Sequence, residues 1–128
     1  MFEAKDKFPN FKKVEISGFT IIVGKDAKSN DFITFQMADD EDIWLHVKGF
    51  FGSHVIIKLS EVQTLKEVKL PTKEVLTTAA QLAKKNSKAK DEELVKVVWC
   101  KRKYVFKEPG MKDGQVGVDY LNAEEIII

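Results

Sequence analysis

Apolar and polar residues alternate along residues 43–47 and again along 54–59, and these two runs flank the linker Lys48-Gly49-Phe50-Phe51-Gly52-Ser53. Period-two alternation is the signature of a strand, because successive side chains point to opposite faces. It places Trp44 and His46 on one face of the first strand, with Ile43, Leu45 and Val47 on the other. In the second run His54, Ile56 and Lys58 share a face, and Val55, Ile57 and Leu59 lie opposite. A Gly-bounded linker of this length suits an antiparallel return, which brings both histidines of the protein into one unit.

The same rhythms organise the flanking segments. Residues 1–13 are mixed and charged, with Phe2, Phe8 and Phe11 as docking points, and residues 1–10 read as a loosely attached lead-in. Strands are expected over 13–16 and 19–23, joined by a turn at Ser17-Gly18. After Gly24, Ser29 or Asn30 is placed to cap a short helix at about residues 30–37, where Phe32, Ile33, Phe35 and Gln36 recur at helical spacing. The clearest helix runs over about residues 72–90, with Thr72 as its cap and Glu74 in its first turn. At about 100° per residue, Val75, Leu76, Ala79, Ala80, Leu82 and Ala83 form one apolar stripe, and Ser87 falls on it. The paired alanines imply a close approach to a sheet. Beyond residue 94 the pattern returns to short strands at 94–100, 103–107, 115–118 and 125–128. No βαβ unit repeats, so the expected fold is α+β with a mainly antiparallel sheet, one long helix and one short one.

Composition bounds this picture without changing it. One domain spans 1–128, with 44% hydrophobic and 32% charged residues, as in an ordinary globular protein. A net charge of +1 carries no global argument for nucleic acid, but the charges are unevenly placed. Residues 84–103 carry eight basic side chains against three acidic ones, whereas residues 31–42 carry five acids and no base. The surface is therefore dipolar, with one face suited to an anion. The single cysteine, Cys100, excludes an internal disulfide and fits a reducing compartment. With no signal-peptide core and no run of membrane-spanning length, the expected location is cytoplasmic, with no membrane association.

Several motifs carry candidate chemistry. For His46 and His54 a third and fourth metal ligand are hard to find, with Cys100 remote and Asp42 the nearest option, so a structural or surface role is preferred and no metal or cofactor is expected. Ser53 beside His54 has no Gly-x-Ser-x-Gly elbow, and adjacent strand side chains point apart; a turn hydroxyl satisfying the backbone is the better reading. No catalytic residue is assigned. Gly24-Lys25-Asp26 is not a phosphate-binding loop; a cation at a helix start suits a single phosphate, but a generic turn and cap is the preferred reading. The basic run at 84–103, with Trp44, Trp99 and Tyr104 as stacking residues, suits nucleic acid as well as it suits a solvated face.

Taken together, several ordered stretches resemble the NFACT-R domain, the RNA-binding module at the centre of the Rqc/NEMF/fibronectin-binding-A-like proteins, which also occurs as a stand-alone domain. They are Ser17-Gly18-Phe19; Ile22-Val23-Gly24-Lys25-Asp26-Ala27 with Asn30-Asp31; Asp42 to Val47; and Gly52-Ser53-His54-Val55. Further on come Ala79-Ala80, Ala83 and Ser87-Lys88-Ala89-Lys90, then Val105, Lys107, Pro109-Gly110 and Gly114-Gln115-Val116. The resemblance covers about residues 11–128 and implies a module that works with the large ribosomal subunit and tRNA in ribosome-associated quality control. Much recognition in multidomain members lies in an N-terminal domain and a coiled coil that are not among these 128 residues, so peptide tailing is not carried over.

The expected function is a non-enzymatic module that binds RNA, either tRNA or rRNA. The candidate surface comprises Lys25, Asn30, Trp44, His46, Lys48, Ser53 and His54, with a second contact from Lys84, Lys85, Lys88, Arg102 and Lys103. The alternatives are a domain docking on a ribosome-associated protein, signalled by an exposed Phe50-Phe51 pair, and an enzyme using His46, Ser53 and His54.

Overall fold

The computed structural model describes residues 7–59 and 71–128. Strands β1 (Phe11–Ile16) and β2 (Phe19–Gly24) form the expected hairpin. Its turn, Ser17-Gly18, has positive φ at both positions, which matches the right-handed twist of the flanking strands. Helix α1 (Ala27–Phe32) runs into a wider turn over Ile33–Met37. Strands β3 (Ile43–Val47) and β4 (Val55–Lys58) follow, then helix α2 (Lys73–Lys85) and strand β5 (Lys96–Lys101). The short pair β6 (Val105–Phe106) and β7 (Gly117–Val118) precedes β8 (Glu124–Ile127). Six strands pair in the order β1-β2-β4-β3-β5-β8, every neighbour antiparallel. The fold is α+β.

Both faces of the sheet are covered, which is why its central strands contain almost no exposed position. On one face Ile21, Val23, Ile43, Leu45, Val47, Val55 and Ile57 pack against Val75, Ala79, Ala80 and Ala83 of α2. The three alanines are wholly buried, so the helix lies close to the sheet as its small residues require. On the other face Ile22, Trp44, Ile56, Val98 and Cys100 pack against Ile33, Ala38 and Val105. Each fully buried Val, Leu or Ile contributes roughly 1.5–3 kcal/mol, so these two layers supply most of the drive to fold. Burial, with Asp119 nearby, pushes the Cys100 thiol up to about 12.

Helix boundaries differ from the sequence expectation for identifiable reasons. The short helical region begins at Ala27, because Asp26 is the cap and its side chain accepts from the Ser29 N–H at 2.8 Å. Ser29 and Asn30 are inside the helix and buried rather than at its start. The long helix stops at Lys85 rather than near residue 90. The Asn86 side chain donates to the Leu82 carbonyl at 2.8 Å and the Ser87 hydroxyl to the Lys84 carbonyl at 2.7 Å, closing the last turn. The chain then pairs with the β3–β4 linker: Gly52 and Ser87 form a bridge, and the Lys88 N–H donates to the Phe51 carbonyl at 2.8 Å. In place of a strand at 103–107 there is a tight turn over Arg102–Tyr104 and the two-residue β6. Of the expected lead-in, residues 1–6, Phe2 among them, lie outside the described residues. Phe8 packs edge-on against Phe32 with ring centres 5.3 Å apart.

Candidate RNA-binding groove

The β3–β4 hairpin brings the two histidines together as the alternation implied, with ring centres 5.4 Å apart. Their environments differ. His54 is 1% exposed and wired on both sides. The Trp44 indole N–H, which can only donate, points at His54 Nδ1 from 3.1 Å. Nδ1 is therefore the unprotonated nitrogen, and Nε2–H donates to the Gly114 carbonyl at 3.1 Å. The Thr34 hydroxyl supplies a second donor to Nδ1 at 2.9 Å. Burial, aided by His46 and opposed by the Gly114 carbonyl, brings His54 down to about 3. It is a neutral structural pin joining the helical region after β2, strand β3 and the connection after β6. His46 is half-buried, and burial lowers it too, against the opposing carbonyls of Val47 and Gly52.

Asn30 and Ser53 complete the pinning. The Asn30 amide donates to the Gly52 carbonyl at 3.3 Å and accepts from the His54 N–H at 3.0 Å. The Ser53 hydroxyl donates to the Gly24 carbonyl, so its proton is directed to backbone rather than to a histidine. A Cβ at Gly24 would overlap Asn30 Oδ1, which explains why the strand end needs glycine there. Gly24→Ala is accordingly expected to displace Asn30 and to lower stability by about 1–3 kcal/mol, read from the midpoint of chemical denaturation. An unchanged midpoint would remove Asn30 from the scaffold.

Above these pins lies an open groove of about 1310 Å³. Its walls come from the start of α1, the β3–β4 linker, the chain just past α2 and the connection at residues 112–116. Six lysines line it, Lys25, Lys48, Lys85, Lys88, Lys90 and Lys112, against two aspartates, Asp26 and Asp113. Lys48 is also paired with Glu125 at 2.6 Å. Phe50 and Phe51, the pair expected to signal a protein-docking surface, are both exposed, at 39% and 86%, and line the groove together with Tyr120, 61% exposed. The wall at 112–116 is held by the Lys107 ammonium, which donates to Asp31 at 2.9 Å and to the carbonyls of Lys112 and Gln115 at 2.5 and 2.8 Å.

The sequence candidates thus divide into three groups. Lys25, Lys48, Lys85 and Lys88 line the groove with exposed side chains, and His46 lines it half-buried. Asn30, Trp44, Ser53 and His54 touch the groove but are buried and hydrogen-bonded beneath it. Lys84, Arg102 and Lys103 are not part of it. The Lys84 ammonium reaches the carbonyls of Glu93 and Ile128, at 3.3 and 3.4 Å. Arg102 and Lys103 pair with Asp40 and Glu41, at 2.6 and 2.9 Å. Register explains the split: Ile43 pairs with Lys101 and Val47 with Val97, so the 101–103 turn sits at the opposite end of β3 from Lys48. Sequence reasoning missed Lys90 and Lys112 as groove residues. Lys90 belonged to the basic run already noted, whereas nothing local marks Lys112, which reaches the groove only through the folded-back connection.

Among the described residues no three His, Cys, Asp or Glu side chains are grouped as a metal site would need, and no helix is long and apolar enough to cross a membrane. What the scaffold and groove define is a class: a three-layer α+β module with a lysine-lined cleft over a hydrogen-bonded polar floor. The chain belongs to the family described as the NFACT protein RNA binding domain, which it matches over residues 7–120. It is 41% identical over 103 residues to the Rqc2 homolog RqcH of Bacillus subtilis, covering 80% of this chain and 16% of that protein. It is 32% identical over 102 residues to coiled-coil domain-containing protein 25 of Danio rerio, covering 77% of this chain and 46% of that one. In structure it is similar to the C-terminal part of the fibronectin/fibrinogen-binding protein from Streptococcus suis. The TM-score is 0.79 at 33% identity, over 97% of this chain and 46% of the other. The chain therefore spans less than half the length of these relatives.

Proposed function

We propose that this chain is a non-enzymatic RNA-binding module whose RNA face is the lysine-lined groove. The observation that carries this is the convergence of six lysines, from four separate segments, on one cleft with two aspartates in a protein of net charge +1. Ammonium groups around a concave path neutralise successive phosphates, and the half-buried, neutral His46 offers a hydrogen-bonding edge at the floor. Arg102 and Lys103 contribute little, because they lie outside the groove at the opposite, acidic end of β3. The family supports RNA as the ligand. The name of the bacterial relatives, Rqc2 homolog, supports a place in ribosome-associated quality control. Within that reading we propose tRNA or rRNA of the large subunit as the RNA and the cytoplasm as the site of action.

The test is binding to tRNA and to a structured non-ribosomal RNA across a salt series. Affinity is expected to fall linearly on log–log axes, and Lys85→Glu/Lys88→Glu to make the slope shallower by about 0.7–0.9 for each phosphate that is no longer neutralised. Arg102→Glu/Lys103→Glu is expected to leave the slope nearly unchanged. No binding to either RNA at low salt would overturn the proposal and favour a protein partner docking on the exposed Phe51.

A further inference from the structure

We infer that the groove takes an unpaired stretch of RNA, one base stacking on the ring of Phe51 while Lys85 and Lys88 hold neighbouring phosphates. This rests on the RNA reading of the groove and narrows it to single-stranded or looped RNA.

Phe51 is the most exposed aromatic ring among the described residues, yet its backbone is fixed. Its carbonyl accepts the Lys88 N–H at 2.8 Å. The next residue, Gly52, crosses Ser87 so closely that an added Cβ would come within 2.5 Å of the Ser87 Cβ. The Ser53 N–H then donates to the Asn86 carbonyl at 3.1 Å. Three successive residues of the linker are thus clamped to the chain just after α2, next to Lys85 at the end of that helix and Lys88 beyond it. An apolar ring and two ammonium groups are therefore presented from one rigid junction.

Exposed apolar residues such as Phe51 and its neighbour Phe50 are ordinary and would mean little by themselves. Here the ring stands among cations at the mouth of a cleft, and that composition selects the occupant. Phe50, beside it and 39% exposed, lines the same groove as Lys85, Lys88 and Lys90, and that mixture of flat apolar surface with ammonium groups suits a polyanion that carries bases. Within a duplex both faces of each base are covered by stacking, and the A-form major groove is too narrow for side chains to read. An unpaired nucleotide has a free π-face beside its own phosphate. That pairing of flat apolar surface with adjacent negative charge is what the junction complements. Tyr120, also exposed and lining the same groove, offers a second ring for a following base.

The experiment compares a 12-nucleotide single strand of mixed sequence with the blunt duplex of the same sequence, by fluorescence anisotropy at several salt concentrations. The wild-type protein is expected to prefer the single strand. Phe51→Ala, a truncation at an exposed position, should weaken single-strand binding by about five- to a hundredfold and leave duplex binding and the salt slope unchanged. In Phe51→Trp the added indole emission, over the background of Trp44 and Trp99, should be quenched by the single strand and not by the duplex. Equal loss for both RNAs on Phe51→Ala, no loss for either, or a preference for duplex would each overturn the inference while leaving a lysine-dependent groove intact. If neither RNA binds and Lys85→Glu/Lys88→Glu changes nothing, the RNA reading itself has failed, and this inference with it.

Discussion

Asp42→Ala is expected to lower stability by about 3–5 kcal/mol, a large share of the 5–15 kcal/mol typical of a small domain. Asp42 is fully buried at the start of β3, and its carboxylate meets the Lys58 ammonium at 2.8 Å. Lys58 is itself only 5% exposed, in the last position of β4, and also donates to the Met37 carbonyl at 2.7 Å. The carboxylate further accepts the N–H groups of Asp39 and Leu59, both at 2.8 Å. Burial by itself lowers the Lys58 ammonium, but Asp42, with Asp39 behind it, more than reverses this and holds it above the usual lysine range. Removing Asp42 thus leaves a charge inside the protein with only a carbonyl and the exposed Asp39 to answer it. The double variant Asp42→Ala/Lys58→Met should recover part of the loss, since the stranded charge is gone while the two N–H groups stay unanswered. Denaturant midpoints of the three proteins are the measurement. If Lys58→Met restores nothing in the Asp42→Ala background, the cost is not electrostatic.

Acidification should weaken the fold through His54. Its native value is about 3, below the ordinary histidine value of about 6.5 that applies to the unfolded chain. Between those limits the unfolded state binds a proton that the native state refuses. The contribution of His54 is therefore fully present above about pH 6.5 and declines below it by roughly 1.4 kcal/mol per pH unit, until about pH 3. At pH 4.5 the loss from this group amounts to about 2–3 kcal/mol. Burial sets the direction, because a charged ring is disfavoured away from water; that ring would also sit beside His46, with Lys107 adding to the repulsion, and a proton on Nδ1 would face the Trp44 N–H. His46, also lowered by burial, adds to the loss with the same sign. Carboxylates titrate in the same window, so the test is a difference of differences: the stability change from pH 7.5 to 4.5 in wild type against His54→Gln. A smaller acid loss in His54→Gln is the expected result; equal losses would mean that His54 opens to water before it titrates.

His54, just before β4, and Lys58, its last residue, on which these two effects turn, lie on the face to which the alternation assigns them. Strand β3 was legible because Ile43 to Val47 alternate cleanly, and the hairpin because glycines bound its linker. The closeness of His46 and His54 followed from that hairpin alone. Helix α2 was legible from its cap and stripe, but its end was not. Ser87 and Lys88 leave the helix to pair with Gly52 and Phe51, partners more than thirty residues away. Likewise Asp26 competed with Ser29 and Asn30 for the cap, and burial of the latter two against Asn10 and the Gly52–His54 backbone decided it.

By itself, then, the sequence determined the fold class, the central hairpin, the family and the presence of basic residues suited to an anion. These rest on local periodicity, turn chemistry and ordered motifs, all of which act over a few residues. Only the tertiary structure decided which charges work together. Sheet register carried Arg102 and Lys103 to the acidic end of β3, and the connection after β6 carried Lys112 into the groove. It also turned Asn30, Trp44, Ser53 and His54 into buried supports. The physical reason is that a side chain's accessibility and its charge partners are set by strands and loops that meet across the fold, and no window along the chain contains that information.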